Sequence, residues 1–333
     1  MAGERDKPRR KPAWLKRDAP APRQFRATGA LLDELDLHTV CREARCPNKG
    51  ECYAAGTATF LILGDVCTRA CTFCAIEGER TPAARTPVAG VPAAPQGVCA
   101  VDPDEPRRVA EAARRLGLRH VVVTSVTRDD LADGGAAQFA TSVSAIREVV
   151  PGATVEVLIP DLGGDAAALA AVLAARPDVL NHNVETVPRL YPRVRPQARY
   201  DRSLGLLARA AAWARGLDGS AGRPQAPAAP AAGSRVPAQP ARPLVKTGLM
   251  VGLGETADEV VALLADVAAV GVDAVTVGQY LQPGAGCLPV ARYVTPVEFA
   301  AYERRGEELG VIVVAAPFVR SSYRAGDLLR RGA

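Results

Sequence analysis

"TATFLILGDVCTRACTFC", residues 57–74, decides how this chain is read. A run of aliphatic and β-branched side chains has the composition of a buried strand. It leads straight into three cysteines, Cys67, Cys71 and Cys74, at CxxxCxxC spacing. Three thiolates are one too few for a closed tetrahedral zinc site and one too few for an ordinary iron–sulfur cluster. A metal centre left short of a protein ligand keeps a coordination position open, as catalytic sites do and structural sites do not.

Downstream, apolar runs alternate with helical periodicity. "HVVVTSV" (120–126), "TVEVLIP" (154–160), "VLNHNVET" (179–186), "LVKTGLMVG" (244–252) and "VDAVTVGQY" (272–280) read as the second to sixth strands. Between the first two, "EPRRVAEAARRLGL" (105–118) places Val109, Ala112, Ala113 and Leu116 on one helical stripe, with Gly117 as a stop. In "TADEVVALLADVAAVG" (256–271), Thr256 and Glu259 have capping-box spacing. Near-continuous apolar strands alternating with helices predict an α/β fold with a parallel sheet. The GxGxxG of a dinucleotide fold is absent after the first strand, and polar residues gather at the C-terminal ends of the strands: Thr124, Ser125, Asn183, Glu185, Lys246, Gln279 and Tyr280. That favours a partial (β/α)6 TIM-like barrel, whose site lies at the C-terminal ends of its strands.

The expected organisation is a basic flexible tail over residues 1–36, a cysteine-rich extension over 37–56, the partial barrel over 57–286 and a C-terminal segment over 287–333 closing the barrel mouth. Two stretches poor in large apolar side chains, 81–98 and 217–243, read as mobile insertions, because they cannot bury enough surface to offset their ordering entropy. The net charge of +5 is mild and partly concentrated in the first residues, which predicts a solvated tail rather than a nucleic-acid surface. No 18-residue apolar run and no N-terminal apolar signal occur, so a cytoplasmic protein without membrane contact is expected.

Six of the eight cysteines lie between residues 41 and 74, which points to metal or redox chemistry rather than disulfides. The earlier triad, Cys41, Cys46 and Cys52, has spacings wrong for a zinc finger or ribbon, and the chain's three histidines cannot supply the missing ligands. Two readings remain: a zinc-dependent nucleic-acid-binding protein, or two clusters, each held by one triad.

The CxxxCxxC loop after the first strand, with Phe73 before its last cysteine, resembles the radical S-adenosylmethionine (SAM) enzymes. Together with "TVCREARCPNKGECY", "TSVTRDDLADGGAAQFA", "NHNVETVPRLYPRVRP", "KTGLMVGLGET", "GQYLQP" and "RSSYRA", it resembles the lipoyl synthase family over most of residues 37–327. The early triad separates this resemblance from a biotin-synthase-like one.

That resemblance implies a sulfurtransferase that inserts two sulfur atoms, at carbons 6 and 8, into an octanoyl chain amide-linked to a carrier lysine. It implies a SAM-binding 4Fe-4S cluster on Cys67, Cys71 and Cys74. It further implies a sulfur-donating auxiliary 4Fe-4S cluster on Cys41, Cys46 and Cys52, with Ser322 of "RSSY" as fourth ligand and Ser321 as runner-up. Asn183, Glu185, Arg195, Phe73, Thr124 and Ser125 are the expected SAM contacts. The implied partners are an octanoylated lipoyl carrier domain (the acyltransferase component of a 2-oxoacid dehydrogenase, or the glycine cleavage H protein) and an electron donor such as ferredoxin or flavodoxin. The glycines of "GLMVGLGET" read as room for the SAM nucleoside, and His182, facing away from Asn181 and Asn183, as a packed histidine. Cys287 stands where the family usually has histidine.

Overall fold

A computed structural model describes residues 10–16, 22–78, 97–217, 242–323 and 325–329. Nearly all of both Pro/Ala-rich insertions lies outside them. Strand β1 (His38–Thr39) pairs antiparallel with β2 (Thr59–Ile62). A two-strand ribbon of β3 (Val66–Cys67) and β4 (Glu77–Gly78) brackets the cysteine loop. The parallel sheet continues from β2 through β5 (His120–Ser125), β6 (Thr154–Leu158), β7 (Val179–Asn181), β8 (Leu244–Val251), β9 (Ala274–Gln279) and β10 (Ile312–Ala316). Valines 121, 123, 155, 157, 275 and 277 are fully buried, as strands covered on both faces require.

The helices are α1 (Pro22–Glu34), α2 (Val40–Glu43), α3 (Lys49–Ala54), α4 (Glu105–Arg115), α5 (Ala136–Val149), α6 (Ala166–Ala174), α7 (Tyr191–Val194), α8 (Tyr200–Ala214), α9 (Ala257–Ala269), α10 (Pro296–Leu309) and α11 (Gly326–Leu329). The stripe read in the sequence holds, with Val109, Ala112 and Ala113 of α4 fully buried. Thr256 and Glu259 close a reciprocal capping box on α9.

Three expectations change. Among the described residues the parallel sheet has seven strands rather than six; it does not close, which is compatible with a partial barrel, and β10 pairs with β9 alone. The seventh strand and α10 make residues 296–316 a further βα repeat rather than a plain closing segment; "VIVVAA" follows a helix ended by Gly310 in the left-handed region (φ 70°). The N-terminal stretch is not all tail. Leu15 is buried, and α1 packs on α3 with Leu32 fully buried and the Phe25 and Tyr53 ring centroids 5.5 Å apart. Those apolar residues recur at helical spacing within a basic sequence whose average character hides them.

The first strand also ends sooner than its apolar run. Leu63 (φ 68°) and Gly64 (φ 88°) turn the chain out of the sheet, and the Leu63 N–H donates to Glu105 Oε2 at 3.0 Å. This break aims residues 65–78 across the C-terminal ends of the strands.

Candidate functional site

The CxxxCxxC loop is tied down at almost every residue. Cys67 Sγ accepts from the N–H groups of Arg69 and Thr127, both at 3.4 Å. Ala70 N–H donates to Gln197 Oε1 at 2.8 Å, and Thr72 N–H to the Val194 carbonyl at 3.0 Å. Arg69 is the main anchor. Its guanidinium grips Asp129 (2.7 Å) after β5 and the fully buried Asp161 (2.6 Å) after β6. Burial alone would raise the Asp161 carboxyl, yet Arg69 holds it at about 2. The "RDD" loop is therefore spent on this clamp and on a second pair, Arg128 with Asp130 at 2.8 Å.

Cys67, Cys71 and Cys74 line one cavity together with Phe73, Thr124, Ser125, Asn183, Glu185 and Arg195, so every SAM contact expected from the sequence meets there. Arg195 is buried, not a surface side chain, and donates to the carbonyls of Asn183 (3.0 Å) and Val184 (3.3 Å). Its Nε and the Ser125 hydroxyl are buried without a partner among the described residues. Thr124 differs, because its hydroxyl is committed to the Leu158 carbonyl at 2.7 Å. Burial raises the Cys71 thiol, against the pull of Arg195, and pushes the Cys74 thiol up to about 12. Glu185 adopts a left-handed backbone (φ 65°), uncommon for a non-glycine residue, and burial raises its carboxyl. His182 is packed as expected, between the Ile159 carbonyl and the Ser203 hydroxyl, each at 2.9 Å.

A second cavity shares Phe73, Cys74, Leu158, Asn183 and Glu185 with the first and extends to Cys46, Ser321 and Ser322. Ser322 also borders a third hollow with Cys52, and the buried Cys41 thiol is raised by its hydrogen bond with Cys52 and by burial. Cys46 thus lines one hollow and Cys52 its neighbour, with Ser322 bordering both and Cys41 bonded to Cys52, and the hollow of Cys46 adjoins the first triad through a common wall. Thiolates on one zinc, with bonds of about 2.3 Å, sit roughly 3.8 Å apart. Neither triad brings its three sulfurs within 4.8 Å of one another; among the described residues only His38, Glu43 and Asp65 form such a group. Cys287 is buried, its thiol donating to the Cys74 carbonyl at 3.3 Å, while Cys99 is exposed.

The family model described as the radical SAM superfamily matches residues 61–213, and that described as the N-terminal domain of lipoyl synthase matches residues 2–46. Curated lipoyl synthases align along nearly the whole chain. That of Nitratidesulfovibrio vulgaris (strain DP4) is 50% identical, over 94% of this chain and 91% of its own. That of Chlorobaculum parvum is 48% identical over 96% and 94%, and that of Thermus thermophilus 48% over 95% and 86%. The chain belongs to the lipoyl synthase family. It is thereby an enzyme of the radical SAM superfamily, using a 4Fe-4S cluster and SAM. Among solved structures, methylornithine synthase superposes with a TM-score of 0.48 at 14% identity, over 86% of this chain and 74% of its own.

The residues present fit a lipoyl synthase's SAM-binding group. Three cysteines, one with two N–H donors on its sulfur, and two orphaned polar atoms border a single cavity. Sequence reasoning missed Arg69, Asn48 and Glu156, which hold loops rather than ligands. Asn48 Nδ2 donates to the Phe318 carbonyl at 2.8 Å, tying the early triad's extension to the serine loop. The glycine reading is corrected at Gly248, while a Cβ on Gly254 would meet nothing within 4 Å. A Cβ on Gly248 would stand 2.5 Å from Ser321 Oγ, and one on Gly278 2.0 Å from the Val319 carbonyl oxygen, so these glycines of β8 and β9 admit the chain's own C-terminal loop. Lys246 is the third residue of β8, not at its C-terminal end, and Gln279 is consumed by backbone bonds to Val251, Tyr280 and Arg292.

Proposed function

We propose that this chain inserts two sulfur atoms, at carbons 6 and 8, into an octanoyl chain carried on a lysine of a lipoyl carrier domain. The carrier is a 2-oxoacid dehydrogenase component or the glycine cleavage H protein, a ferredoxin or flavodoxin supplies electrons, and the reaction runs in the cytoplasm. Among the described residues no helix is long and apolar enough to cross a membrane. The observation that carries this reading is the shared wall. Phe73, Cys74, Leu158, Asn183 and Glu185 face both the first-triad cavity and the one reaching Cys46 and Ser322.

In this reading Cys67, Cys71 and Cys74 hold the first cluster, and Cys41, Cys46, Cys52 and Ser322 the auxiliary one. When bound, these groups and SAM supply a 5′-deoxyadenosyl radical able to take hydrogen from unactivated C–H bonds, and sulfide to cap the resulting carbon radicals. The chain's own work is placement. Arg195, buried beside Cys71, offers Nε, and Ser125 its hydroxyl, to the carboxylate and amino end of SAM. Asn183 and Glu185, which line both cavities, would offer their polar ends to the ribose of SAM, and Phe73 with Leu158 would give an apolar wall that excludes water from a reactive carbon. Ser322 is favoured over Ser321 because the Ser321 hydroxyl is already bonded to Asn183 at 2.7 Å. An oxygen ligand, harder than thiolate, suits a cluster that must come apart.

Mass spectrometry of an octanoyl-lysyl peptide after incubation with the protein, SAM and a strong reductant tests the proposal. Gain of two sulfurs is expected, with loss of two hydrogens once the dithiol is oxidised to the dithiolane; unchanged peptide alongside vigorous SAM cleavage would contradict it.

A further inference from the structure

Beneath the serine loop lies a charged pair that none of the cluster chemistry uses. Lys246 and Glu156 are each 1% exposed in their side chains and meet at 2.9 Å. Burying an ammonium is costly unless it is fully partnered. Glu156 does not need this cation alone, since Asn181 Nδ2 donates to it at 3.0 Å and His120 Nε2 lies 3.4 Å away. The remaining reach of Lys246 goes elsewhere, as its Nζ donates to the Ser321 carbonyl.

We propose that Lys246, held by Glu156, is a positioning residue that fixes the Ser321 carbonyl and so sets the direction in which Ser322 is presented to the second cysteine triad. Two further ties make the assignment specific. The Ser321 hydroxyl is held by Asn183, and Asn48 holds the Phe318 carbonyl, so the loop is gripped upstream and at Ser321 while Ser322 follows directly. Gly248, two residues along β8 from Lys246, clears the space into which Ser321 descends. The role of Ser322 as ligand rests on the function proposed above; the grip on the loop does not.

The experiment therefore starts with cluster-free protein. Hydrogen exchange at the amides of residues 318–323 is measured in the unsubstituted chain and in Lys246→Met/Glu156→Gln, which removes the ammonium without stranding a buried carboxylate. Exchange faster by about tenfold or more, confined to this loop, is expected, and unchanged exchange overturns the assignment. Should the double variant not fold, Lys246→Gln, which keeps a neutral donor, is expected to show a several-fold increase; no increase is equally decisive. In reconstituted protein the same variants are expected to lose half of their iron to a chelator about tenfold sooner while still cleaving SAM. Retention of iron at the normal rate contradicts the positioning role. If the unsubstituted chain holds only one cluster, it is the functional reading that fails, whatever the exchange data show.

Discussion

The Ser321 hydroxyl donates to Oδ1 of Asn183 at 2.7 Å, joining the C-terminal loop to the end of β7. Asn183 in turn donates to Glu185 Oε1 at 3.0 Å, and both residues face the two adjoining cavities. Ser322 makes no side-chain hydrogen bond among the described residues and borders the hollows of both Cys46 and Cys52. Adjacent serines are thus given different work by their surroundings.

Replacing each serine by alanine separates those roles. Ser322→Ala is expected to lose iron from the auxiliary site at least tenfold faster under chelator challenge. Ser321→Ala is expected to keep that iron but raise the KM for SAM several-fold, since loss of one buried hydrogen bond is worth about 1 kcal/mol. Iron loss in the Ser321 variant alone would reverse the assignment.

The two triads are separable in the same way. Cys71→Ala is expected to abolish 5′-deoxyadenosine formation while leaving the absorbance of the auxiliary cluster. Cys46→Ala is expected to form deoxyadenosine but no dithiolane. Chromatography of both products checks this, and normal lipoyl yield from the Cys46 variant would place the sulfur source elsewhere.

Arg69 is expected to matter through stability. Arg69→Met leaves the fully buried Asp161 with one cation, Arg202 at 3.3 Å, and the Gly163 N–H at 3.1 Å, and breaking a buried ion pair on one side costs about 3–5 kcal/mol. Denaturant unfolding of the cluster-free protein measures this. A loss below about 1 kcal/mol would show that the cysteine loop is held mainly by its backbone bonds.

Of this site, the side chains that line the cavity were legible and their supports were not. The cysteines declare themselves by spacing, and Asn183 and Glu185 by polarity in an apolar run that reads as strand to residue 186, although β7 ends at Asn181 and both residues lie beyond it. Lys246 was visible as a polar residue in a strand, but its partner Glu156 reads as one charge among the valines of β6, and the pairing joins residues 90 apart. Gly248 and Gly278 were ambiguous because a glycine in a strand marks close approach without saying of what. Helix α1 was hidden by the basic charge around it.

His182 gives a pH signature. Its Nδ1–H donates to the Ile159 carbonyl while Nε2 accepts from Ser203, and burial, with Arg195 nearby, lowers its pKa to about 4. Unfolded histidine binds a proton near pH 6.5, so between 6.5 and about 4 the unfolded chain carries the extra proton and stability falls as pH falls, by about 1.4 kcal/mol per unit at most. Glu156 and Asp161, both held at about 2, add loss only below their unfolded values near 4. His182→Gln is expected to flatten the slope of unfolding free energy between pH 6.5 and 5; an unaltered slope would assign it to other groups.

The most direct measurement is Mössbauer spectroscopy with iron and acid-labile sulfide analysis of anaerobically reconstituted protein. About eight irons and eight sulfides per chain are expected, in two 4Fe-4S centres, with only one shifted by added SAM. A single centre of about four irons, or zinc in place of iron, would contradict the account.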